Sequence, residues 1–279
     1  MLGSNTPANP DAEMGFFDHV EALRWHLIRS GIAILVASCG VGYFYEFIFN
    51  NIILGIQHKE FPTYRFFCWI ATHVPYAKDL CIDKDVPIQL QNIAMFGQIT
   101  MLFEYALIFG FVIAFPYVIW ELWRFISPAL KPEDQAKVSN VILASSAFFF
   151  TGVAFCYFLI IPLSVNFAVN FSVSPTIHNT FTIENYIDFF TMMLLAVGAV
   201  FELPMIVYFL SKIGILKASA MRKVRRYAIL IIAIVAGIIT PSPDILTQCL
   251  IGVPIYILYE FSIFIAARNE RKNAAKSAS

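Results

Sequence analysis

The sequence predicts an all-α integral membrane protein with six spanning helices, and three observations carry that prediction. Of its 279 residues, 59% are hydrophobic and only 14% charged, and the mean hydropathy is +0.71, far from the balance of a water-soluble domain. Apolar runs recur to the last twenty residues, whereas a secretory signal is one short run ahead of a soluble body. Lys and Arg gather between alternate runs, as they do in chains that cross a bilayer repeatedly.

A hydrocarbon core about 30 Å thick calls for about 20 apolar residues per helix. Runs of this kind lie at Leu27–Phe49, Ile99–Trp120, Val138–Ile161, Tyr186–Leu210, Tyr227–Thr240 and Cys249–Ala267. The fifth holds about 14 residues, roughly 21 Å at 1.5 Å per residue, so it crosses only a locally thinned bilayer. Ahead of the first run, "GFFDHVEALRWHLIRS" places Phe16, Val20, Leu23 and Leu27 on one helical face, with Asp18, Glu21 and Arg24 elsewhere. That pattern predicts an interfacial helix leading into the membrane. After the second run, "WELWRFISPALKPEDQAKV" sets Pro128 at a helix end, and Pro132, Glu133 and Asp134 fit the first turn of the next helix, where carboxylates complement the dipole. The chain thus divides into a cytoplasmic N-terminus (1–14), a membrane domain (15–267) and a cytoplasmic C-terminal tail (268–279).

Fifteen of the nineteen Lys and Arg residues flank the first run or follow the second, fourth and sixth, which places both termini in the cytoplasm. The other four, Lys59, Arg65, Lys78 and Lys84, sit in a long first outer loop. This loop contains the aromatic, amphipathic stretch "EFPTYRFFCWIATHVPY", predicting short helices at the membrane surface. It also holds Cys68 and Cys81, which either close a disulfide in an oxidising outer compartment or remain two thiols. Cys39, Cys156 and Cys249 fall in apolar runs and fit as small core residues.

A formal net charge of zero gives no pull toward nucleic acid, and no Gly-rich loop ending in Gly-Lys-Ser/Thr is present to hold ATP. The five histidines are scattered and none forms a His-Glu-x-x-His helix, so an intramembrane metalloprotease lacks its ligands. No metal, cofactor or enzymatic chemistry is indicated. One residue demands an account: Glu202 in "AVGAVFELPMIVYFL", an ionisable group inside an apolar run, with Pro204 beside it. A carboxyl at that depth costs at least a few kcal/mol unless it faces protein or water. It is then a structural carboxyl, a proton-transfer site, or the polar floor of a wet cavity. A proton-coupled small-solute transporter built on Glu202 is one function open to such a chain.

A more specific reading comes from five segments in order: "HVEALRWHL", "PYVIWELWRFISPALKPED", "FELP", "RRYAILI" and "TPSPDILTQCLIGVPIYILYE". Together they closely resemble the TatC family of the twin-arginine protein translocase, across nearly the whole chain. The resemblance implies a concave, glove-like bundle with short fifth and sixth helices in the bacterial cytoplasmic (inner) membrane. It implies a receptor that binds Arg-Arg signal peptides of folded proteins and nucleates a translocation complex driven by the proton-motive force. Its implied partners are single-span proteins of the TatA/TatB kind, further copies of itself, and the lipid bilayer.

The residue assignments follow from the same resemblance. Carboxylates suit paired guanidiniums, since each accepts a forked pair of charge-assisted bonds. The loop carboxylate of the family corresponds to Asp134, with Glu133 adjacent. Where the family commonly has Glu directly before Leu-Arg, this chain has Ala22 before Leu23-Arg24, and the nearest carboxylate is Glu21, turned about 100 degrees around a helix. Asp18 is an accessory candidate one turn earlier. Trp123 and Phe125 are candidate packing surfaces for the peptide's apolar part, and Thr240 and Gln248 stand at the family's docking position for a partner helix. Glu104 occupies a position where relatives often carry Lys.

Overall fold

The computed structural model describes residues 16–73, 81–82, 84–127, 138–174, 176, 179–239 and 245–277. Helices dominate: α1 (Phe16–Tyr43), α2 (Pro62–His73), α3 (Gly97–Ile126), α4 (Val138–Asn170), α5 (Ile183–Lys212), α6 (Ala218–Lys223), α7 (Arg225–Ile239) and α8 (Ile245–Ser277). Five helices among the described residues are long and apolar enough to cross a membrane, in α1, α3, α4, α5 and α8. The chain is a multi-pass membrane protein. Helix α7 is apolar but has only 15 residues, about 22 Å, in keeping with the short fifth run of the sequence.

One helix end and two cysteines differ from the sequence-based expectation. The amphipathic N-terminal segment leads without interruption into the first span, since α1 runs from Phe16 to Tyr43. Helix α8 is not short: it has 33 residues and continues through the charged stretch to Ser277, so the expected tail from Arg268 is helical over most of its length. An apolar-run criterion stops at the first cluster of charges, whereas "RNERKNAAKS" is made largely of residues that favour helix. Cys39 and Cys249 are exposed, while Cys156 is buried, so only the last is a core residue.

Helix α1 packs along α3, α4 along α5, and α8 along the second half of α5. Close approach depends on glycine where helices touch. A Cβ on Gly110 of α3 would overlap Ser38 of α1, and one on Gly198 of α5 would lie 2.8 Å from the Phe149 ring of α4. Small residues permit such contact between spanning helices, where packing replaces the hydrophobic effect as the driving force. Phe149 in turn stacks on Phe115 of α3, with centroids 3.6 Å apart.

The end opposite the basic one is the most densely buried region, centred on Ile53, Tyr64, Tyr105, Ile161, Tyr186 and Phe190. Two departures from regular helix, a π turn at Ile48–Ile53 and another at Cys156–Ile160, lie there. Pro162 follows the second turn, and without an N–H it leaves the Phe158 carbonyl lacking its usual donor. Thr63 of α2 donates its hydroxyl to that carbonyl. Tyr157 and Tyr186 donate to the carbonyls of Ile52 and Ile53, at 3.0 and 2.9 Å. Side-chain hydroxyls thus tie the cap and the spans together at the carbonyls of these irregular turns. Cys68 and Cys81 are joined by a disulfide with Cα atoms 4.2 Å apart, and a two-residue parallel pairing of β1 (Leu90–Gln91) with β2 (Phe181–Thr182) completes the cap.

Thr63→Val keeps the shape and deletes the donor, leaving the Phe158 carbonyl unpaired at a cost of about 1–3 kcal/mol. Thermal unfolding in detergent should show that loss, and Thr63→Ser should recover most of it. Equal stability of Thr63→Val and wild type would contradict this role.

Candidate functional site

At the basic end of the molecule, α1 and α3 are joined by a polar cluster inside their interface. Glu121, 1% exposed, sits one turn before the end of α3. Its Oε2 is 2.5 Å from His26 Nδ1 of α1, and its Oε1 accepts from the Tyr117 hydroxyl at 3.0 Å. Arg124 approaches Oε1 at 3.4 Å and lies over the Trp120 ring, 5.0 Å from its centroid. The His26 ring also meets Phe125 edge-on at 6.1 Å. A buried carboxylate is tolerated here because several donors surround it.

Sequence reasoning missed Glu121 and His26. The available signal was a carboxylate within six residues of a helix end, followed one turn later by Arg124, which reads more simply as the flank of an apolar run. The pair joins the two segments that carry the expected signal-peptide carboxylates. Glu21 and Arg24 lie on α1 just before His26 and are both exposed, whereas Glu121 is already engaged. Asp18 is in the first turn of α1, and its side chain lies outside the described residues. Asp134 and Glu133, which would follow α3, also lie outside them.

Trp123 is buried at 8% and meets Phe209 of α5 edge-on at 5.9 Å. Phe125, half-buried, is therefore the more available of the two expected packing surfaces.

Glu202 stands where α5 breaks. The regular helix ends at Phe201, restarts at Leu203, and has Pro204 in its new first turn. Glu202 is thus at a terminus, and its carbonyl accepts from Met205 and Ile206 at 2.9 and 3.0 Å. Ser145 of α4 donates to Glu202 Oε2 at 2.7 Å, while Oε1 is buried with no protein partner among the described residues. Glu104, on the first half of α3, is 2.9 Å from the Thr191 hydroxyl of α5, which is also 2.7 Å from the Ile187 carbonyl. A hydrogen bond between α3 and α5 is the structural account of Glu104.

The third region is an apolar groove of about 530 Å³ between α7 and α8, lined by Ile229, Ile232, Gly252, Val253 and Tyr256 with Gln248 at its edge. Gln248 donates to the Ala233 carbonyl at 2.9 Å, so its amide spans the two helices. Thr240 lies outside the described residues. Below the groove, Arg225 of α7 pairs with Glu260 of α8 at 2.6 Å.

The comparisons with known proteins agree on one family. The profile described as "Sec-independent protein translocase protein (TatC)" matches residues 18–254. The chain belongs to the TatC family. Among curated relatives, the TatC protein of Blattabacterium sp. subsp. Periplaneta americana is 33% identical over 258 residues, covering 92% of this chain and 97% of the relative. That of Carboxydothermus hydrogenoformans is also 33% identical, covering 92% and 94%. A crystal structure of "Twin Arginine Translocase Receptor- TatC in DDM" superposes with a TM-score of 0.68 at 28% identity, covering 89% of this chain and 99% of that one. A second TatC crystal structure gives 0.63 at the same identity. TatC proteins are subunits of a membrane protein translocase and not a catalytic family, which places this chain in protein transport by the Tat pathway.

Coupling between His26 and Glu121 is measurable by a double-mutant cycle. His26→Phe and Glu121→Leu should each lower thermal stability in detergent, by about 1–3 kcal/mol. The double variant should recover at least about 1 kcal/mol relative to their sum. Additive losses would show that the two side chains do not support one another.

Proposed function

We propose that this TatC protein is the receptor subunit that binds Arg-Arg signal peptides of folded proteins and nucleates a translocation complex driven by the proton-motive force. The observation that carries the reading is the continuous family match over residues 18–254, which includes both segments expected to read the peptide. With membership of a translocase family, the solute-transporter alternative loses its footing. The bulk of Lys and Arg lies between the runs on one side, supporting six spans, α7 included, with both termini in the cytoplasm of a bacterial inner-membrane protein.

In this reading, Asp134 and Glu133 supply the principal carboxylates and Glu21 and Asp18 the second set, with Phe125 and Trp123 beside the peptide's apolar part. The His26–Glu121 contact supports the reading physically. Bidentate recognition requires carboxylates held in fixed relation, and this contact ties the segment bearing Glu21 to the helix that leads to Asp134. Glu202 hydrates and thins the bilayer where the peptide inserts, and Pro204 maintains the break that places the carboxyl there. The groove at Gln248 receives a single-span partner of the TatA/TatB kind, with Thr240 the second docking residue the family resemblance implies, and the groove's apolar walls together with the short α7 suit a helix docking in a thinned membrane. Self-association gathers several receptors in one complex.

Photo-crosslinking of a synthetic signal peptide in membranes tests the recognition step. An Arg-Arg peptide should label the protein several times more strongly than its Lys-Lys counterpart, because a lysine cannot reproduce the forked contact. Asp134→Ala should reduce that labelling, and Glu21→Ala reports whether the shifted carboxylate takes part. Equal labelling by both peptides, unchanged by Asp134→Ala, would refute the receptor reading.

A further inference from the structure

A second groove, separate from the one at Gln248, lies between the basic ends of α4, α5 and α8 and encloses about 460 Å³. That volume falls within the range of about 300–1,000 Å³ typical of ligand sites. Its walls are Val141, Phe148, Phe261, Phe264 and Ile265, and its rim carries Asn140 and Arg268. Asn269, only 7% exposed, lines the groove and is held in place by donating to the Tyr208 carbonyl at 3.3 Å and Ser211 Oγ at 2.8 Å. Phe148 and Phe261 face one another across it with centroids 6.1 Å apart.

The arrangement is amphipathic along the membrane normal. On α8, Arg268 follows Phe264 by four residues and Phe261 by seven, so all three share a face, with the cation about 6–10 Å nearer the basic end of the helix. Arg268 is exposed, and among the described residues it pairs with no carboxylate. Phe261 and Phe264 are 43% and 62% exposed. A free guanidinium at the end of an apolar aromatic channel matches a ligand that carries an anionic head on an acyl chain.

We propose that this groove binds an anionic phospholipid, its phosphate on Arg268 and Asn140 and an acyl chain between Phe148, Phe261 and Phe264. The guanidinium offers forked donors to phosphate oxygens, and basic pockets between spanning helices are suited to anionic headgroups. The same cation argues against an Arg-Arg peptide as occupant, since like charges would meet at the rim. Met205 also lines the groove, one turn beyond Glu202, so the bound chain lies beside the break in α5.

The test uses the full-length protein in phosphatidylcholine vesicles containing a trace of phosphatidylglycerol with an acyl-chain diazirine, or the matching phosphatidylcholine probe, with labelled peptides mapped by mass spectrometry. The phosphatidylglycerol probe should label residues 140–148 and 261–265 about fivefold more than its neutral counterpart, as one cation near the surface implies. Arg268→Gln should bring it to the neutral level, and Arg222→Gln, an exposed cation outside the groove, should leave it unchanged. Equal labelling by the two probes, or preference that survives Arg268→Gln, would overturn the proposal. Displacement of the lipid probe by an Arg-Arg peptide in wild type and Arg268→Gln alike would overturn it too, and assign the groove to the peptide.

Discussion

The Phe158 carbonyl, left without a donor by Pro162, is where the half of this protein away from its basic end is joined together. A polar backbone group cannot be abandoned in hydrocarbon, where each unsatisfied one costs several kcal/mol. Thr63 supplies the missing donor, and this fixes α2 on the π turn of α4. Tyr157 and Tyr186 add further ties, their hydroxyls reaching carbonyls of the irregular turns after α1. Irregular backbone becomes attachment points for a cap, and the cap in turn holds α1, α4 and α5 in fixed relation.

At Glu202 the constraint is met in another way. The turn at Glu202 interrupts α5 and Pro204 prevents the helix from continuing unchanged, while one carboxylate oxygen is held by Ser145. A broken helix with an ionisable terminus is expensive in lipid unless it performs a function, and the proposed hydration of the bilayer at this point is such a function. The basic end carries a third version. Glu121 is the least solvent-exposed of the described carboxylates, and His26, Tyr117 and Arg124 surround it. Its consequence is positional, since it joins the two segments on which peptide recognition is expected to rest.

Much of the fold was legible because hydrocarbon selects for long apolar runs, and α3, α4 and α5 lie where such runs predict them. The failures have physical causes. Helix α8 outlasts its apolar run because helix formation does not require hydrophobicity once the chain leaves the bilayer. The π turns could not be read at all, since their stability depends on Thr63, Tyr157 and Tyr186, between 95 and 133 residues away from the carbonyls they serve. Glu202 stood out at once as a lone charge in an apolar run, and the pairing of Cys68 with Cys81, one of two open possibilities in the sequence, is realised. Glu121 did not stand out, because a carboxylate beside Arg124 resembles an ordinary helix flank and only the fold brings His26 to it.

The central claim is that this chain selects cargo by an Arg-Arg pair. Its most direct test is export of a folded fluorescent reporter in cells that make this TatC protein, together with its own single-span partners, in place of the resident translocase. The account predicts that the reporter crosses the membrane when its signal carries Arg-Arg and is retained when it carries Lys-Lys. Export of both reporters to the same extent would contradict it.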